Sequence, residues 1–164
     1  LYASQITNLA APGWIRKTGM AVICGWALFA GVRIYPHHLS YFNEAACGPS
    51  AGMRHLDECN VDWGQGMPRL AEYLRDHEIA EVRMPPADAG DFGRPGYYGI
   101  RFMPVAPEEY LDPKPAVYAL SAHRVVWLKK QAALSDDPRL NWMERFKPSG
   151  HVGYSIYIYD FRSP

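Results

Sequence analysis

The feature that most constrains this chain is a run without charge near its start. Residues 19–35 read GMAVICGWALFAGVRIY, and the 14 residues from Gly19 to Val32 carry no ionisable side chain except the Cys24 thiol. A bilayer span needs roughly 17–25 apolar residues, so this run is short by itself. It lengthens if Arg33 keeps its aliphatic stem in the apolar layer while its guanidinium reaches water. Ile34 and Tyr35 then continue it, and Tyr35 and Trp14 suit the headgroup level. Pro36 predicts the end of the helix, because a residue before proline is pushed out of the α region. The apolar side chains lie on every side of the helical projection, a pattern that belongs to deep core or to membrane. Arg16 and Lys17 flank the N-terminal side and place that end in the cytoplasm, with everything after Pro36 outside it. Two other readings fit the same run. One is the core helix of a soluble domain. The other is a signal-peptide core, which needs a small-residue cleavage site that the following IYPHHLSYF does not supply. The chain begins at Leu1 and not Met, the expected mark of a fragment, a processed product or a trimmed chain.

Beyond residue 36 the texture is that of a folded domain. The chain has 164 residues, 48% apolar and 21% charged, which excludes a disordered chain. Lys plus Arg and Asp plus Glu both number 17, so no net charge points to nucleic acid. Gly and Pro number 14 each, enough to predict many loops. Pro68 fits a first helical turn, and Leu70, Tyr73, Leu74 and His77 recur at helical spacing. Residues 81–84 (EVRM) and 97–102 (YYGIRF) read as short strands, with a Gly/Pro/Asp loop over 86–96 between them. That loop contains GDFGRPG at 90–96, glycines without the strand-to-helix setting of a phosphate loop. Residues 116–122 (AVYALSA) predict a strand that runs into a helix carrying Val125, Val126, Leu128 and Ala132. Asp137 and Pro138 predict an N-cap and first turn for a short helix bearing Leu140, Met143 and Phe146. The run HVGYSIYIYDF at 151–161 predicts one long interior strand. Tyr154, Ile156 and Ile158 share one face, and Tyr157, Tyr159 and Phe161 the other. Alternating helices and strands give an α/β fold. The expected organisation is a loop or the end of a preceding membrane segment over 1–18 and a transmembrane helix over 19–35. A small mixed-sheet α/β domain outside the cytoplasm follows over 36–164.

Two segments are distinctive: YPHHLSYFNEAACGP at 35–49 and LDECNVDWGQ at 56–65. With YYGI at 97–100 and GYSIYIYDF at 153–161, they resemble the C-terminal region of bacterial membrane glycosyltransferases. The group is glycosyltransferase family 39-like, dependent on a phospholipid sugar carrier and related to the protein O-mannosyltransferases. In it a last membrane helix leads into a Tyr-Phe-Asn-Glu segment. Then come a Ser-Asn-x-Asp-Trp-Gly-Gln segment and a small domain ending in a Gly-Tyr-Ser-Ile strand. The resemblance covers most of residues 19–164, in the same order. Glu58 and Cys59 stand where the group carries Asp-Ser, Cys47 and Gly48 where it carries Gly-Gly, and Gly66 where an acidic residue often follows Gln65.

The resemblance implies a many-helix protein of the bacterial inner membrane, with catalytic acidic residues in an early loop that precedes Leu1. The chain is then not catalytic alone. Its partners, through the parent protein, are a polyprenyl-phosphate-linked sugar, its acceptor and membrane lipids, with no nucleic acid and no cofactor. Its expected part is to cover the cleft and position the acceptor.

Candidate contact residues are Asn60, Asp62, Trp63 and Gln65, then Asn43 and Glu44. An indole face stacks on sugar C–H groups, and amides and carboxylates exchange hydrogen bonds with hydroxyls. Asn60, Asp62, Trp63 and Gln65 equally suit a plain turn, since Asn and Asp bond their own backbone, Gly64 permits an unusual φ and Trp63 can plug the domain onto the membrane part. Asn43 and Glu44 could line the cleft and Tyr41 and Phe42 could lie at the headgroup level, or all four could pack at the helix end. His37 and His38 are adjacent and lack a third ligand at metal-site spacing, so a helix cap is their expected role. Cys47 and Cys59 are expected to pair outside the cytoplasm, with Cys24 left as a thiol. Two alternatives remain: a membrane-tethered binding module without catalysis, and a soluble α/β domain with residues 19–35 as its core helix.

Overall fold

The structure, a computed structural model, describes residues 12–54, 63–88, 94–135 and 137–162. The chain forms two compact units, Leu1–His38 and Leu39–Pro164.

The first unit is built on helix α1, Gly13–Ile34. Pro12 precedes it, and it stops one residue short of Tyr35, ahead of Pro36. At 1.5 Å per residue its 22 residues extend about 33 Å, against a hydrocarbon layer of about 30 Å. Helical geometry thus begins six residues before the uncharged run, and Trp14, Arg16 and Lys17 make up the missing length. Large apolar side chains point outward all round it: Trp14, Met20, Val22, Ile23, Trp26, Leu28, Phe29 and Val32 are exposed. The helix is long and apolar enough to cross a membrane, and only 6% of its most apolar window is buried.

The second unit is an α/β fold around a five-stranded mixed sheet of order β2-β1-β3-β5-β4. Its strands are β1 Val82–Met84, β2 Phe102–Pro104, β3 Val117–Ser121, β4 Gly150–Val152 and β5 Ile156–Asp160. β1 runs parallel to both β2 and β3, whereas β5 is antiparallel to β3 and β4. Helix α2, Met67–Asp76, precedes the sheet, and α3, Ala122–Leu134, follows β3 directly. A short helix α4, Trp142–Arg145, continues a 3-10 turn at Pro138–Asn141.

Alternation along the strands builds two cores. Val117, Ala119, Ile156 and Ile158 face a cluster that takes in Met67, Leu70, Ala71 and Leu74 of α2. Tyr118, Leu120 and Tyr159 face the opposite cluster, with Val125 and Leu128 of α3 and Trp142 of α4. Covering both faces explains why β3 is buried at all five positions and reads as a continuous apolar run. Glycine permits the closest contacts. A Cβ on Gly150 would collide with the Tyr73 hydroxyl, and one on Gly66 would meet Ile156 Cδ1 at 2.8 Å.

Three expectations are corrected. Residues 97–102 do not form one strand: Pro95–Tyr98 is a 3-10 turn closed by Gly99 at φ 71°, and only Phe102 onward joins the sheet. Residues 151–161 are a hairpin instead of one strand, because Gly153 at φ 56° reverses the chain between β4 and β5. β5 nevertheless lies inside the sheet with the expected residues on each face. The helix at 138 opens as a 3-10 turn, which shifts the spacing. Trp142 becomes the deeply buried residue, and Phe146 is half exposed. Asp137 caps that turn as expected, its carboxylate accepting from the Arg139 amide at 3.0 Å.

Candidate functional site

The candidate residues fall on the two loop segments that lead into α2. In the first, Asn43 opens a 3-10 turn at Glu44–Ala46. Its Oδ1 accepts from the Ala46 amide at 3.1 Å, and its carbonyl accepts from Ala46 and Gly48, each at 3.0 Å. Asn43 is therefore a cap, the local side-chain-to-backbone bonding typical of Asn. Glu44 is exposed in the first turn of that helix, where its charge complements the helix dipole. Phe42 packs against Gly52, whose missing side chain leaves room for the ring. Cys47 closes the turn at φ 63°, a left-handed conformation that favours glycine. It is an exposed free thiol, against the expected pairing, and Cys59 lies outside the described residues. Cys24 is also a free thiol.

The second segment enters α2. Asn60 and Asp62 lie outside the described residues, as do Glu58 and residues 90–93 of the glycine-rich loop. Trp63 and Gln65 form a bracket. The Trp63 amide donates to Gln65 Oε1 at 2.6 Å, and Gln65 Nε2 donates to Ser40 Oγ at 3.4 Å. Ser40 is buried, so the bracket ties the turn to the chain just ahead of Tyr41. Gly64 at φ 77° makes the turn possible, and its carbonyl accepts from the Met67 amide at 3.2 Å. The bracket aims the indole of Trp63 outward, 47% exposed. Gly66 lies against Ile156, whose Cδ1 a Cβ here would meet at 2.8 Å.

His38 in the first unit acts locally. Its Nε2 hydrogen-bonds the Gly31 carbonyl at 3.1 Å, which satisfies one of the orphan acceptors at the end of α1. Among the described residues no three His, Cys, Asp or Glu side chains are grouped to hold a metal ion.

Sequence reasoning missed the most demanding polar cluster of the second unit. Glu109 is 1% exposed. Its Oε1 accepts from Arg83 Nη1 at 2.8 Å and lies 3.2 Å from Lys114 Nζ; its Oε2 accepts from the Tyr118 hydroxyl at 2.9 Å. The Lys114 amide donates in turn to the Tyr118 oxygen at 2.9 Å. Burial and the carboxylate beside it push the Tyr118 phenol up to about 12. Both carboxylate oxygens of Glu109 are satisfied, so the cluster reads as a structural lock of β1, β3 and the 107–114 segment. No family model, curated protein or solved structure matches this chain.

Proposed function

We propose that this chain is the membrane-anchoring and α/β part of a phospholipid-carrier-dependent glycosyltransferase of the family 39-like group, located in the bacterial inner membrane. In this reading α1 crosses the membrane and the α/β unit lies outside the cytoplasm. The 63–66 turn holds sugar or acceptor over a cleft whose catalytic acids belong to other parts of the parent protein. The observation that carries it is the display of Trp63. A large indole stands half exposed at a turn held by the Gln65 side chain and the buried Ser40 hydroxyl. An exposed aromatic plane in a polar loop is a recurring way to hold a sugar. Asn43 contributes less in this reading, because its side chain is committed to its own turn. The outward apolar surface of α1 favours a membrane helix over the core helix of a soluble domain.

The test is sugar transfer from a polyprenyl-phosphate donor by membranes that carry the parent protein. Trp63→Ala and Asp62→Ala should each lower transfer about tenfold while the protein accumulates normally, the loss of one good contact. Transfer at the parent rate by both variants would remove the turn from the function.

A further inference from the structure

A cavity of about 570 Å³ opens between α3, β5 and the 146–148 segment. Lys129, Lys130 and Lys147 stand around it, and Phe146, Tyr157 and Tyr159 supply apolar wall. Among the described residues no carboxylate lines it. Several cations elsewhere in this unit are paired. Arg83 and Lys114 meet Glu109, Arg69 meets Glu72, Arg139 meets Asp137 and Arg162 meets Asp160. Lys129 and Lys147 form no ion pair with any described residue. Ammonium groups gathered at one concavity repel each other and raise the local concentration of anions.

A second observation concerns the wall. Tyr159 is 3% exposed and lines the cavity, yet its hydroxyl makes no hydrogen bond to a described residue. The hydroxyl is not sealed off without a partner; it opens onto the cavity, where a bound acceptor can take the place of water. Burial, and then the neighbouring Tyr157, push this phenol up to about 12, so it stays a proton donor. The volume far exceeds that of one phosphate and lies in the range of sites for drug-sized molecules.

We infer that this cavity binds a phosphate-bearing molecule, Lys129 and Lys147 holding the phosphate oxygens and the aromatic wall holding an apolar portion. Lysine suits phosphate as a point charge, and Tyr159 donates a hydrogen bond to the same group or its ester oxygen. The inference uses none of the residues of the 63–66 turn and stands apart from the acceptor-binding reading.

The experiment is amide NMR of the full chain in maltoside micelles, titrated with two probes at millimolar concentration. One is inorganic pyrophosphate; the other is dihexanoylphosphatidic acid, with dihexanoylphosphatidylcholine as the blank of equal tails and no net charge. Pyrophosphate and the phosphatidic acid should shift amides of 126–133 and 146–148. The double variant Lys129→Gln/Lys147→Gln should weaken binding by about tenfold, the loss of two charge-assisted contacts. Arg75→Gln, on α2 at the other face of the sheet, should leave it unchanged. Tighter binding of the phosphatidic acid than of pyrophosphate assigns the site to a lipid-borne phosphate; equal or weaker binding assigns it to a soluble one. Absence of shifts at those amides with both probes, or unchanged affinity in the double variant with its amide spectrum intact, overturns the inference.

Discussion

Helices α1 and α2 show what patterning does to a helix. In α2 one stripe, Met67, Leu70, Ala71 and Leu74, is buried against the sheet, and Arg69, Glu72 and Arg75 face water. In α1 the apolar residues occupy every side, and nearly all stay exposed. A stripe needs one protein surface to cover it; a full apolar cylinder needs apolar surroundings on every side, lipid or protein. The α/β unit draws its stability from covered faces and satisfied polar groups. α1 pairs its own backbone groups but has almost no covered face, and its stability rests on its surroundings.

The sharpest contrast lies with the polar lock of the α/β unit. Glu109→Ala leaves Arg83 and the Tyr118 hydroxyl without their partner, and should cost about 3–5 kcal/mol in urea unfolding. A cost under about 1 kcal/mol, the range of an exposed pair, would show that the cluster is solvated. Next comes the helix comparison itself. Leu70→Ala in α2 should cost about 2–5 kcal/mol, because its side chain is fully buried. Leu28→Ala in α1 should change unfolding of the α/β unit by less than about 0.5 kcal/mol. Equal costs at the two positions would break the distinction.

An alkaline titration follows. Tyr118 and Tyr159 are each pushed up to about 12, whereas in the unfolded chain they titrate near 10. Between those values the folded chain holds more protons than the unfolded one, so stability falls as pH rises and is level below pH ~10. Tyr159→Phe should make that fall shallower; an unchanged slope would show that Tyr159 titrates as if exposed. The smallest effect is at Cys47. Its φ of 63° favours glycine, so Cys47→Gly should stabilise the unit by about 1 kcal/mol or less. A destabilised variant in the same urea titration would show that the thiol contributes packing.

Much of the fold was legible because it follows local chemistry. α2 came from Pro68 and the spacing of Leu70 and Leu74, α3 from the buried strand that feeds it, and the 138 turn from the Asp137 cap. The failures sit where one backbone angle outweighs composition. Gly99 and Gly153 adopt positive φ and cut two aromatic-rich runs that composition alone reads as continuous strands. In the candidate site, Gly64 shows its local role in the sequence, since a turn needs only near neighbours, whereas the Asn43 cap was not read there. The Gln65–Ser40 bracket spans 25 residues and the Arg83–Glu109 pair 26, distances that no periodicity reports. The lysine-lined cavity was invisible for the same reason: Lys129 and Lys147 line one cavity only because α3 and the 146–148 segment lie beside β5.

The most direct test of the central claim is carbonate extraction of membranes from cells making the full chain, beside the variant Ile23→Lys/Leu28→Lys. Each lysine near the middle of a spanning helix opposes insertion by about 2.5–3.5 kcal/mol. The account predicts that the chain stays with the membrane after carbonate and that the variant moves to the supernatant. Release of the unsubstituted chain by carbonate, with its α/β unit folded, would contradict it and make α1 a helix that meets its apolar needs against protein.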